Sequence, residues 1–200
     1  MQPGQVTSPQ FFVQTERSEN SAKMNTVLSR ANTIFAFTLS VLAALTFGCF
    51  LTTAFDSNIA PFYVETAKHL VKSTYTQHGE KVDRGHVTFD LTSDLDPLFS
   101  WNTKQLFLYL MVEYQTPQNK LNQVVLWDKI IVRGGKANLE LKNMNLKYPF
   151  YDDGNGLKGH DNITMSLNWN IIPGAGLLPR ITGDGKNIFT FPDEYSTKRI

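Results

Sequence analysis

Between Arg30 and Asp56 the chain runs for 25 residues without one charge. A helix rises about 1.5 Å per residue, so such a run reaches roughly 37 Å, against a hydrocarbon core of about 30 Å. A soluble core helix rarely needs that length with no polar face. The Thr and Ser hydroxyls within the run can bond back to carbonyls of the preceding turn, which makes them cheap in lipid. The stretch reads as one membrane span from Ile34 to Phe55. Two readings compete. A cleaved signal peptide has an apolar region of about 7–15 residues and a small-residue exit, and Thr52 and Ala54 suit the positions before a cut at Phe55. The apolar region here is longer than that and begins deep in the chain, which favours an uncleaved anchor. A buried soluble helix is the other reading.

The flanks set an orientation. Lys23 and Arg30 precede the span, whereas the first charges after it are Asp56 and Glu65. Basic residues favour the cytosolic side and acidic ones count for little, so residues 1–33 are expected in the cytosol. Residues 56–200 are then translocated as one domain. Asn162-Ile163-Thr164 is an acceptor triplet for N-linked glycan, which is added only on the lumenal side, and it falls on the side that the charge rule assigns to the lumen.

Residues 56–200 carry sixteen basic and sixteen acidic side chains. Such a balanced domain has no electrostatic case for nucleic acid or an anionic membrane surface. It is long enough to bury one substantial core. The only cysteine, Cys49, lies inside the apolar run and reads as a small apolar filler. The domain therefore forgoes disulfides, although its compartment permits them, and must be held by packing. Met1 to Lys23 is polar and without periodicity, as in a disordered tail, and Met24 is an alternative start.

Beyond the apolar run the pattern changes to strands. Gly85 to Leu91 alternates with period two, and Leu106 to Tyr114 is a mostly apolar run suited to a strand covered on both faces. Val124 to Trp127 and Ile130 to Val132 are branched and aromatic, and they stop at Arg133-Gly134-Gly135. Asn138 to Lys142, Asn162 to Trp169 and Ile188 to Phe191 complete the set, with Pro173-Gly174 as a turn. Phe62 to Val71 is either a strand or a short helix. About seven strands in one antiparallel domain point to a β-sandwich behind a single transmembrane helix, a mainly β chain.

Chemistry is hard to find. His69, His78, His86 and His160 stand in no nucleophile context, and there is no Gly-x-Ser-x-Gly elbow. His69 and His78 lie in a polar, turn-like stretch and read as solvated surface. Asp94 and Asp96 flank Leu95, and Asp152-Asp153 precede Gly154-Asn155-Gly156. The second pair resembles the opening of a calcium loop, but the acidic ligand near position 12 and the flanking helices are missing. An Asp-rich turn explains the same residues, because Asp, Asn and Gly suit turns. No His/Cys metal spacing or phosphate-cradling glycine loop is present, so no cofactor is expected.

Several blocks together carry a resemblance: Met24 to Asn32, Leu45 to Phe50, Trp101 to Leu110, Leu121 to Ile130 and Tyr151 to Gly159. On them the chain resembles the family of signal peptidase complex subunit 3, from Met24 nearly to the C-terminus. The resemblance implies a non-catalytic, glycosylated, single-span accessory subunit of the endoplasmic-reticulum complex that removes signal peptides. In that family the serine protease chemistry belongs to a separate subunit, and the glycan acceptor maps onto Asn162. The implied partners are the catalytic and other subunits, the lipid bilayer and nascent secretory chains. A partner-facing surface is expected at Trp127, Asp128 and Lys129, and at the Asp152 to Gly159 loop with Asp153 and Asn155; alternatively Trp127 fills the core and the loop is a turn. The alternatives for the whole chain are a lumenal enzyme and a cell-surface sandwich module unrelated to proteolysis. Thr197-Lys198-Arg199-Ile200 is no retrieval signal, so residence depends on partners or on the span.

Overall fold

Thr26 caps the first helix by accepting a hydrogen bond from the Ser29 amide on its hydroxyl (3.2 Å). The computed structural model describes residues 26–152, 154 and 156–197. Met1 to Lys23, Met24, Asp153, Asn155 and the last three residues lie outside them. Helix α1 spans Val27–Thr53, about 40 Å, and none of its residues is buried. Among the described residues it is the one helix long and apolar enough to cross a membrane. It starts seven residues before Ile34 and ends short of Phe55, because helical hydrogen bonding extends past the apolar run's polar N-terminal edge. The hydroxyls behave as expected: Thr38 donates to the Ile34 carbonyl (2.8 Å), Ser40 to Ala36 (2.9 Å) and Thr52 to Cys49 (2.8 Å). One compact unit ends at Ala43, and the helix from Ala44 onward belongs with the β-domain.

The strands follow as β1 (Phe62–Tyr75), β2 (Lys81–Asp94), β3 (Thr103–Tyr114), β4 (Asn122–Val132), β5 (Asn138–Asn145), β6 (Phe150–Tyr151), β7 (Ile163–Pro173), β8 (Arg180–Thr182) and β9 (Asn187–Phe189). They form two antiparallel sheets. In one, β2 is central between β1 on one side and β5 and β6 on the other. In the other the order is β4-β3-β7-β8, with β9 also on β7. Phe62 to Val71 is thus a strand rather than a helix. The two branched segments before Gly134 are one strand, β4, with an irregularity at Leu126. The short β6 and β8 carry no periodicity to read, because two or three residues cannot display one. The alternating end segment stops as a strand at Phe189.

The core lies between the sheets. Along β2 every second residue from Asp83 to Ser93 points inward. On β3 both faces are covered, and the inward Leu106, Leu108, Leu110 and Val112 pair directly with Ile171, Trp169, Leu167 and Met165 of β7. Aromatic rings join the sheets: Phe89 meets Trp127 edge-on (6.0 Å between ring centres), and Tyr114 meets Phe150 at 5.6 Å. The irregularity at Leu126 shifts the phase of β4, so that Leu126 and Trp127 are both buried.

Strand direction gives the domain two ends. The end near α1 holds Ala60, the Leu98 to Thr103 turn and the β7–β8 loop, where Asn102 and Gly174 join by a backbone bond of 2.7 Å. The far end holds the start of β2, the Asp152 to Gly159 loop and the start of β7.

Candidate functional site

At the far end, Asp83 enters the core side of β2 two residues before the alternation becomes apolar. Its Oδ2 accepts hydrogen bonds from the Leu157 amide (3.0 Å), the Lys158 amide (3.3 Å) and the Tyr195 hydroxyl (3.4 Å). Asp152 completes the knot: its Oδ1 accepts from the Asp83 amide (2.8 Å) and its Oδ2 from the Gly156 amide (2.8 Å). These carboxylates hold a loop that Gly154 and Gly156 turn at positive φ (96° and 83°). The arrangement fastens a turn, with carboxyl oxygens engaged by backbone N–H groups. Among the described residues no group of three His, Cys, Asp or Glu side chains could hold a metal ion. Burial first, then the Asp83 hydrogen bond, pushes the Tyr195 hydroxyl above its ordinary value.

Asp128 sits on β4, the edge strand of its sheet. It accepts from Lys147 Nζ and from the Tyr148 hydroxyl, each at 2.6 Å. Those two hydrogen bonds, from Lys147 and then Tyr148, hold its carboxyl below the usual carboxylate range. The same bonds raise Lys147 and Tyr148 above theirs. Lys129 is half-buried opposite Leu108. The ring of Trp127 turns into the core against Phe89, so this residue shapes β4 from within. Beside these, β4 exposes Val125, Ile130 and Val132.

Asn162 is exposed, at φ 55°, and immediately precedes β7. Eleven residues of strand separate it from the end of β7 near α1, about 35 Å at an extended rise. It therefore stands at the far end of the sandwich.

The histidines divide. His78 is exposed in the β1–β2 turn. His69 is a correction: it lies in β1, half-buried, with its ring 5.8 Å from Phe189. The stretch around it reads as polar, but its alternate residues face a core. His160 packs edge-on against Tyr114 at 5.3 Å. His86 is on the outer face of β2, beside a groove lined by Lys68, Arg84, Thr88 and Lys147. Burial, then the charges of Arg84 and Lys72, lower its imidazole below the ordinary value.

Two residues with structural control escape a reading by pattern. Asp83 is a charged residue in an inward phase, a signal that extending the alternation backward from Gly85 would have exposed. Asn102 has no such signal, because Trp101-Asn102-Thr103 looks like any turn.

Similarity to known proteins decides the family. The family model described as "Signal peptidase subunit" matches residues 24–194, which include α1 and every strand. The chain belongs to the signal peptidase subunit family. It is 56% identical over 174 residues to signal peptidase complex subunit 3 of Homo sapiens, covering 86% of this chain and 97% of that protein. It is 56% identical over 178 residues to signal peptidase complex subunit 3 of Gallus gallus, covering 88% and 99%. The Drosophila melanogaster protein of the same name is 56% identical over 179 residues, covering 88% of this chain and all of its own length. As a signal peptidase subunit the chain thus has a helix, a sandwich and a carboxylate-knotted loop that all lie inside the family match.

Proposed function

We propose that this chain is a non-catalytic accessory subunit of the signal peptidase complex, supporting the removal of signal peptides from nascent chains at the endoplasmic reticulum. The observation that supports this most is the continuous match to relatives named as subunits of that complex, through helix and sandwich alike. The peptide-bond chemistry then resides on another chain.

In this reading α1 anchors the chain with its N-terminus cytosolic, as Lys23 and Arg30 before the span favour. The sandwich, tethered to the helix's end, stays near the lumenal membrane surface and packs against the catalytic subunit, setting the height of its active site. The partner face draws on Asp128, Lys129 and the exposed Ile130 and Val132 of β4, and on the loop that includes Asp152, Asp153 and Asn155. Trp127 supports that face from the core. Asn162 carries the glycan, pointing away from the bilayer.

Purification of tagged protein in mild detergent tests the assignment. Recovery of a signal peptidase catalytic subunit at near one-to-one is expected. Recovery of the chain alone, with other membrane complexes intact, refutes it. Asn162→Gln tests the orientation: the endoglycosidase-sensitive mobility shift of the wild type should vanish, and a wild type with no shift removes the glycan evidence for a lumenal domain.

A further inference from the structure

The loop between β7 and β8, Pro173-Gly174-Ala175-Gly176-Leu177-Leu178-Pro179, has no ionisable side chain. Leu177 is 73% exposed and Leu178 63%. Single exposed leucines are ordinary, but this pair has exposed apolar neighbours at the same end of the domain. Phe55, which follows α1, is 90% exposed, and Trp101, next to Asn102, is 61% exposed.

The loop is held against the end of the helix. Gly176 comes so close that a Cβ there would stand 3.1 Å from Phe50 Cδ2. The buried Asn102 makes the fastening. Its Nδ2 donates to the Ala175 carbonyl (2.7 Å) and to Thr53 Oγ1 (3.3 Å), and its Oδ1 accepts from the Ala175 amide (3.1 Å). Its own carbonyl accepts from Gly174. Phe50 lies three residues before the end of α1, so the loop overlaps the helix's last turn, inside the uncharged run rather than beyond it.

The same contacts lower the cost of leaving water. A backbone entering lipid must have its polar groups satisfied. Here the amides of Gly174 and Ala175 are bonded to Asn102, the two prolines have no N–H to satisfy, and the Pro179 carbonyl accepts from Ile171 (3.3 Å), so that only the short Gly176 to Leu178 backbone has to stay at the hydrated headgroup level while its leucine side chains reach deeper. Tryptophan at such a level suits the headgroup region, where an apolar ring with a polar N–H is favoured.

We propose that the β7–β8 loop inserts into the bilayer beside α1, with Leu177 and Leu178 among the acyl chains of the leaflet where α1 ends and with Phe55 and Trp101 at headgroup depth. The inference rests on α1 being a membrane span, and it makes the sandwich a domain seated in the lipid at a second point rather than one swinging on a single helix. The occupant is lipid because the loop is uncharged and continuous with the apolar surface of the helix.

The test uses the full chain in phosphatidylcholine liposomes, with Cys49→Ala and single nitroxide-labelled cysteines at Leu178, at Leu45 within α1, and at the exposed Tyr75, the last residue of β1 at the far end. Power saturation compares collisions with oxygen, which concentrates in lipid, and with a water-soluble nickel chelate. The Leu45 and Leu178 labels should both favour oxygen severalfold over the Tyr75 label. A Leu178 label that matches Tyr75 while Leu45 favours oxygen overturns the insertion and leaves the span intact. A Leu178 label shielded from both reagents overturns it in favour of a protein surface, and an aqueous Leu45 label overturns the span and the insertion together.

Discussion

Replacing Asp83 by alanine removes the acceptor that ties three chain segments at the far end of the sandwich. The Leu157 amide is buried and bonds to Oδ2 at 3.0 Å. Stranding a buried donor costs about 1–3 kcal/mol, so roughly 2 kcal/mol is assigned to Leu157. Lys158 is exposed, so its amide can rehydrate, and the Tyr195 contact is long; together they add about 1 kcal/mol. The expected loss is about 3 kcal/mol. For a chain of this length that corresponds to a melting temperature lower by roughly 10 °C. Asp83→Asn keeps one acceptor oxygen and replaces the other by an amide NH2, so about half the effect is expected. The assay is thermal unfolding of the full chain in detergent, followed by near-ultraviolet circular dichroism, with limited proteolysis of the 152–160 loop as a local readout. If Asp83→Ala melts within about 2 °C of wild type, an amount worth less than about 1 kcal/mol, the knot does not hold the loop and the reasoning fails.

Two further outcomes follow from the same geometry. Hydrogen bonds from Lys147 and then Tyr148 depress the Asp128 carboxyl. A depressed acid stabilises the fold above its unfolded value of about 4, and that stabilisation is lost as pH falls through the lower folded value. Between about pH 5 and pH 3 the wild type should therefore lose more melting temperature than Asp128→Asn, and equal losses contradict the interaction. At Gly183 a Cβ would stand 2.6 Å from Phe62 Cδ1 and 2.6 Å from Trp169 Cζ3. Gly183→Ala should cost about 1–3 kcal/mol by overpacking these core rings, read as a lower denaturant midpoint with an unchanged slope, and a midpoint equal to wild type would mean that the rings yield freely.

The strands that sequence reveals are those long enough to display a period. Gly85 to Leu91 alternates because one face of β2 meets the core, and Leu106 to Tyr114 is mostly apolar because β3 is covered on both faces. Where β4 is irregular at Leu126 the phase slips, and pattern alone reads two segments in place of one strand. The same slip decides Trp127, whose ring faces inward only because the extra residue changes the side to which it points. His69 misleads for a similar reason. The register between β1 and β2 shifts between Thr66 and Lys68, and behind it His69 takes an inward position opposite Val87. The acidic loop shows the converse. Its turn character is evident from Asp, Asn and Gly, yet nothing local says that its anchor is Asp83, 69 residues before Asp152 in the chain.

The uncharged run and its hydroxyls define a candidate membrane span without any tertiary information, because a helix in lipid satisfies its backbone internally and needs only length and apolarity. The β composition and the absence of cysteine beyond Cys49 likewise define a packed, disulfide-free sandwich. Which sheet faces which, and which polar side chains serve as fasteners, depend on partners far apart in the chain. Asp83 gains its role from Leu157 and Tyr195, and Asn102 from Thr53 and Ala175. A hydrogen bond across such separations is specified by the register of several strands at once, which no local stretch of residues contains.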